Sequence, residues 1–304
     1  MQVNHTDNIV LNGPILSTFI RFAIPSVLGL LAITTASIVD GIFIGQFVSS
    51  EGLAAITLLI PFFTLVFAIA LMLSIGGAVR AGHYLGQSKV QAASAVFSKC
   101  LISMFVLSLL FMSTSFVLDR QILNLLGATE ELITLVLPYF HIICGVLVLQ
   151  VTSMILYYFV RLDNYQTLGT FALIAGAMIN ILLDALFIIG WEMGLQGAAL
   201  ATLVAQVVQM LILCSYFLGK NRRLSLILRP GNWSETGKIA YNGLSEFVNE
   251  LSGGLVILLM NWLLITYQGV SGLAAFAVIN YLIFISLMIY YGIADALHLL
   301  ISQN

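Results

Sequence analysis

The chain has 304 residues, of which 61% are hydrophobic and only 8% charged, with a formal net charge of −2 and a mean hydropathy of +1.08. Soluble domains carry about 25% charged residues, so a soluble fold is excluded. The apolar stretches also exceed the roughly 18 residues that distinguish a membrane-spanning helix from a buried core helix, and the expected class is an all-α polytopic membrane protein.

Eight spans are expected in order, at about 15 to 47, 53 to 80, 95 to 117, 133 to 159, 168 to 190, 197 to 218, 239 to 267 and 272 to 300. The longest connection carries Lys220, Arg222, Arg223, Arg229 and Lys238 around an amphipathic Leu224-Ser-Leu-Ile-Leu228 that suits the interface. It reads as a linker, dividing the chain into a first lobe (residues 1–218), the linker (219–238) and a partial second lobe (239–304). Cytoplasmic loops retain Lys and Arg. Arg21, Arg80, Lys89, Lys99, Arg161 and the five linker cations fall on the amino-terminal side, with Arg120 alone opposite, so the amino terminus is expected in the cytoplasm. Cys100, Cys144 and Cys214 lack CxxC spacing and read as small apolar packing residues.

Shifting the chain by 220 residues lays Gly52-Leu-Ala-Ala55 on Gly272-Leu-Ala-Ala275, at the starts of spans two and eight. A displacement of six spans preserves orientation, so the repeat is parallel, as in two-lobed transporters. In the same register the segment after Tyr84 has no counterpart, and the expected architecture is six plus six helices, with this chain supplying eight.

Asp40, Asp184, Glu246, Glu250 and Asp295 lie inside or at the inner margin of the apolar stretches, with no lysine or arginine deep beside them. An ionisable side chain in hydrocarbon is expensive and usually faces a cavity where it handles an ion, a proton or a substrate. At about 1.5 Å per residue from Phe22 and Leu168, Asp40 lies about 27 Å and Asp184 about 24 Å outward; Thr202 lies roughly 22 Å from the inner face. Asn180 precedes Asp184 by one helical turn, and Tyr139 falls at a comparable depth. Two carboxylates, an amide oxygen and hydroxyls form a hard-oxygen set that suits Na+, while the carboxylates alone suit a proton. The simpler reading of Asn180, Thr202 and Tyr139 is mutual hydrogen bonding between packed helices. Competition between H+ or Na+ and a cationic substrate for one desolvated acidic site is a mechanism for antiport. Pro25 inside span one removes a backbone hydrogen bond near the carbonyl of Arg21 and marks a candidate hinge.

In the second lobe Glu246 and Glu250 are one turn apart, at about 10 and 16 Å from Ile239, and are the candidate substrate contacts. Asp295 falls near the inner interface, within snorkelling reach of water. A one-residue gap in the repeat pairs Asp40 with the neutral Asn261. Phe62, Phe63, Phe67, Met72, Tyr281, Phe284, Met288 and Tyr290 offer polarisable surface for flat organic cations.

These residues resemble a known group. Ile24-Pro25, Ile38-Val-Asp-Gly-Ile-Phe-Ile-Gly45, Gly52-Leu-Ala-Ala-Ile56 with Pro61, Leu125-Leu-Gly-Ala-Thr129, Asn180-Ile-Leu-Leu-Asp184 and Gly194-Leu-Gln-Gly-Ala-Ala-Leu-Ala-Thr202 are similar to the multidrug and toxic compound extrusion (MATE) family. The resemblance covers essentially the whole chain. It implies a MATE-like fold, here a six-helix N lobe plus the first two helices of a pseudo-symmetric C lobe, and export of lipophilic organic cations in exchange for Na+ or H+. It also implies a coupling-cation site at Asp40, Asp184, Asn180 and Thr202, with a bend at Pro25. Gly243-Leu-Ser245 departs from the family's more usual Gly-Leu-Pro, and the segment before Arg161 lacks the asparagine common there.

Two other functions compete for these residues. A flippase for lipid-linked sugars would need a cationic cavity, whereas the embedded charges are acidic. A membrane-embedded prenyl transferase would use acids at DxxxD-like spacing to hold Mg2+ and diphosphate; Asn180-Ile-Leu-Leu-Asp184 looks superficially similar but lies at outer-leaflet depth without basic partners. His83 and His298 are lone residues, and no His, Ser or Cys arrangement for hydrolysis is present. The expected protein is therefore not an enzyme and needs no cofactor beyond the coupling Na+ or H+. Its expected partners are small organic cations and the lipid bilayer, without nucleic acid, in a monomer of the bacterial inner membrane.

Overall fold

A computed structural model describes residues 15–303. All of the elements found in this range are helical: α1 (Ile15–Phe43), α2 (Ser50–Gly86), α3 (Val90–Val117), α4 (Asp119–Leu125), α5 (Glu130–Leu162), α6 (Gln166–Asp184), α7 (Gly194–Cys214), α8 (Glu235–Asn242) and α9 (Leu244–Gln303). α1 continues in a π-helical turn over Ile44–Val48, α6 in another over Ala185–Gly190, and α7 in a 3-10 turn over Ser215–Leu218. Gly269, at φ 67° and ψ −160°, divides α9 into two arms, a conformation that glycine adopts without the penalty of a Cβ. Eight segments are long and apolar enough to cross a membrane, running from Phe19–Val48 to Leu244–Gly269 and Ser271–Ala294. They match the eight expected from hydropathy.

Local chemistry sets several boundaries. Ser49 caps α2 by accepting from the Gly52 N–H at 3.0 Å, and Thr129 caps α5 by accepting from Leu132 at 3.4 Å. Glu51 and Glu130 stand in the first turns of these helices, where carboxylates complement the helix dipole. α5 runs through the middle of the molecule, burying Val136, Phe140, Cys144, Val151 and Ile155 among α2, α3 and α7. Cys100 and Cys144 are buried and unpaired, in keeping with packing roles.

α9 lies against α1 and α2. Glycines permit close approach along α8 and α9: a Cβ on Gly243, between the two helices, would strike the Met72 carbonyl of α2, one on Gly76 of α2 the Ile239 carbonyl of α8, and one on Gly292 of α9 the backbone of Val27 of α1. Toward the other end, Asn261 donates to the Thr57 carbonyl at 3.2 Å, and the Trp262 indole N–H to the Leu125 carbonyl at 3.3 Å. The end at which α1 begins is called here the near end, and the opposite one the far end.

At the near end the connection from α7 to α8 is a docked strap. Arg223 donates to Asp163 through its backbone N–H at 2.8 Å and its Nε at 2.7 Å, while the Tyr216 hydroxyl donates to the same carboxylate at 2.6 Å. The backbone N–H groups of Ser225 and Ile227 donate to the Ser94 and Ser98 hydroxyls of α3 at 3.1 and 2.8 Å. In this extended run Leu224 is buried, while Leu226 and Leu228 face outward. Glu235 then accepts from Lys99 at 2.9 Å, from Tyr84 at 2.6 Å and from Arg80 at 3.3 Å.

Two of the cations at the near ends of the apolar stretches are buried in the protein. Lys99 is 2% exposed and Arg161 1% exposed. Arg161 donates to the Tyr157 hydroxyl at 2.8 Å, lies over the Tyr157 ring and donates to the Ser26 hydroxyl of α1. A cation can be buried when aligned acceptors replace its water, and each of these two is supplied with them. Asp295, expected near the inner interface, lies outside the residues whose side chains are described.

Candidate cation site

Asp40 and Asp184 each lie shortly before a π-helical turn. Asp40 lies one turn before the π-helical turn of α1, and Asp184 is the last α-helical residue before that of α6. In these turns the Ser49 N–H reaches back to the Ile44 carbonyl at 3.0 Å, and the Trp191 N–H to the Leu186 carbonyl at 2.9 Å. The two turns touch each other. π-helical turns concentrate at functional sites, where they widen the helix and re-aim side chains. Hydropathy carries no signal for them, because an i→i+5 turn needs no change of composition.

Asp184 is 0% exposed and Asp40 is half-buried. Among the described residues, both oxygens of Asp184 and the Oδ1 of Asp40 are buried without a hydrogen-bond partner. Asp40 acts electrostatically on Asp184, and both act on the buried phenol of Tyr139 from α5. No ion pair among the described residues involves either aspartate, and Arg161 is engaged at the near end by Tyr157 and Ser26. Buried acids gathered without a fixed positive partner are suited to binding a mobile cation.

Asn180 and Thr202 also come together. The Asn180 Nδ2 donates to the Thr202 Oγ1 at 3.4 Å, and Thr202 donates to the Ala198 carbonyl at 3.0 Å. Asn180 sits one turn from Asp184, and the pair uses its polar groups on each other, as the simpler packing arrangement requires. Pro25 lies within a continuous α1, and its carbonyl accepts from Thr170 of α6 at 3.1 Å.

Glu246 and Glu250 form a separate group on α9. They act on one another and on Tyr291, whose hydroxyl accepts from the Asn249 Nδ2 at 3.3 Å. No interaction among the described residues joins them to Asp40 or Asp184.

Tyr281, grouped by sequence with an apolar lining, belongs to the aspartate site. Its hydroxyl and ring edge occupy the space where a Cβ on Gly41 would stand, and it interacts electrostatically with Asp40 and Tyr139. The one sequence signal for this contact is the glycine directly after Asp40.

Comparison with known proteins places these residues in a family. The MatE family model matches residues 25–186, just over half of the chain and a range that includes Pro25, Asp40, Asn180 and Asp184. A curated relative, the multidrug export protein MepA of Staphylococcus aureus (strain bovine RF122 / ET3-1), is 23% identical over 294 residues, 96% of this chain and 65% of the relative. MepA of Staphylococcus saprophyticus is 25% identical over 287 residues, 93% of this chain and 63% of that protein. The chain thus spans a little under two thirds of the length of the curated relatives it matches. Among solved structures, the MATE multidrug transporter DinF-BH superposes with a TM-score of 0.89 at 27% identity, covering 95% of this chain and 65% of that one. A MATE structure in complex with MaD3S superposes with a TM-score of 0.83 at 24% identity over the same shares. With just over half of its length matched by the family model and its eight-span bundle shared with these transporters, the chain belongs to the MatE family.

Proposed function

We propose that this protein is a secondary active multidrug efflux antiporter of the bacterial inner membrane, with its amino terminus in the cytoplasm. It exports lipophilic organic cations in exchange for Na+ or H+, and Asp40 and Asp184 hold the coupling cation. The observation that carries this reading is the gathering of two acids on α1 and α6, whose buried oxygens have no hydrogen-bond donor among the described residues. A mobile cation satisfies such a site, and a cationic substrate competes with it, because two positive charges repel strongly where little water screens them. The names of the curated relatives support export of drugs.

Each residue then has a role. Asp40 and Asp184 supply the charge; Tyr139, Asn180 and Thr202 supply neutral oxygens at their border. Pro25 provides the flexible point of α1, and Glu246 and Glu250 meet the cationic substrate from the second lobe. The division into a first lobe, a strap and a partial second lobe follows the same reading.

The test is efflux of a fluorescent organic cation from cells making the protein, with Na+ and pH varied separately, for wild type, Asp40→Asn and Asp184→Asn. Cation-driven efflux that both substitutions abolish is expected. Efflux that continues unchanged in either variant overturns the assignment of that aspartate.

A further inference from the structure

The geometry points to Tyr281 as a ligand that the second lobe contributes to the first-lobe cation site, one that favours Na+ over H+. The inference rests on the reading of Asp40 and Asp184 as that site and adds a residue from a different part of the chain. Tyr281 lies ten residues beyond Ser271, so at about 1.5 Å per residue it is about 15 Å from the far end, close to the level of Asp40, eight residues before Val48. Its hydroxyl is set against Gly41, the residue after Asp40, at a point where any side chain would displace it. It interacts electrostatically with Asp40 and with Tyr139, so two phenols and two carboxylates converge from α1, α5, α6 and α9.

The chemistry separates the two ions. A proton needs one carboxylate oxygen and gains little from a neutral neighbour. A bound Na+ must exchange most of its hydration shell for protein oxygens, so each neutral oxygen within reach strengthens its binding. The phenolic oxygen of Tyr281, set against Gly41 beside Asp40, is such a donor. Gly41 is the complementary requirement on α1: without a Cβ, it lets the hydroxyl reach the level of the carboxylate.

The experiment uses the 304-residue chain, purified in detergent and treated with dicyclohexylcarbodiimide, which attacks protonated carboxyl groups in apolar surroundings. Modification of Asp184 is quantified by peptide mass spectrometry against pH, and against Na+ at fixed pH. In the wild type, modification is expected to rise as pH falls and to be suppressed by Na+. Tyr281→Phe, which keeps the ring, is expected to raise the Na+ concentration for half-protection roughly tenfold, the scale of one lost bond to a charged group, and to leave the pH midpoint in place. Gly41→Ala, which displaces the hydroxyl and leaves the phenol itself intact, is expected to shift Na+ protection in the same direction. Na+ protection unchanged in both variants overturns the role of Tyr281 and leaves the aspartate site standing. Modification that depends on pH but never on Na+ also overturns it, leaving a proton site. A wild type insensitive to both ions removes the site reading itself.

Discussion

The Lys99 ammonium of α3 stands 2.9 Å from a carboxylate oxygen of Glu235, the first residue of α8, 136 positions away in sequence. Arg80 and Tyr84 of α2 converge on the other oxygen of the same carboxylate. One acid thus ties the strap to two membrane helices, and because Lys99 is almost wholly buried, that acid is its counterion.

Removing the acid therefore leaves a buried charge alone. Glu235→Ala is expected to destabilise the protein by about 3 kcal/mol, the usual consequence of breaking one side of a buried pair. Replacing both partners, with Lys99→Met and Glu235→Leu together, is expected to recover most of that loss. Unfolding midpoints of the purified variants in detergent would check both outcomes. A double variant as unstable as Glu235→Ala would contradict the account.

The strap should also loosen in acid. Partial burial pushes the Glu235 carboxyl up, but hydrogen bonds from Tyr84 and Lys99, the Lys99 charge and the Arg80 hydrogen bond outweigh it and hold it below its ordinary value of 4.5. A carboxylate held low in the fold contributes stability that is complete above its ordinary value and is lost as pH falls through the lower folded value. Protease cleavage between Lys220 and Trp233 is expected to accelerate as pH falls below about 4.5, the ordinary glutamate range, and Glu235→Gln is expected to cleave fast at neutral pH already.

The crossing of α2 with the turn from α8 into α9 depends on bare backbone. Gly243→Val and Gly76→Val each place atoms where a carbonyl of the other segment already stands. Each is expected to cost at least the 1 to 3 kcal/mol of ordinary overpacking, roughly speaking, because backbone cannot turn aside as a side chain does. Gly253→Val, where a Cβ meets nothing within 4 Å, is the control and should be near neutral in the same melting assay.

Arg161 is bound by geometry as well as by charge. It combines a 2.8 Å bond to the Tyr157 hydroxyl, a seat over the Tyr157 ring and a bond to Ser26 on α1. Lysine keeps the charge but not the planar fork that spans these groups. Arg161→Lys is therefore expected to lower stability by about 2 kcal/mol, and Arg161→Ala by more, in denaturant titrations of the purified protein.

Much of this architecture can be read in the amino acids, because lipid imposes a simple rule on length and polarity. The eight spans, and the placement of Asp40, Asp184, Asn180 and Thr202 toward one end of the bundle, follow from counting residues along helices. Lys99 and Arg161 do not. A cation near the end of an apolar run reads as solvated, and only the fold shows that Glu235, 136 residues on, and Ser26, 135 residues back, supply the partners that replace water. Tyr281 escapes for a related reason. Its phenol looks like one aromatic among many until α9 packs on α1 and brings it to Gly41.

The π-helical turns that follow Asp40 and Asp184 carry a mechanical consequence. Such a turn holds one surplus residue, and handing that surplus to the next position swivels the intervening backbone by about 100°, one residue's share of a 3.6-residue circuit. α1 and α6 can each re-aim an acid in this way, hydrogen bond by hydrogen bond, with neither helix leaving the bilayer. Their contact makes the two movements neighbours, so that a swivel in one is felt directly by the other.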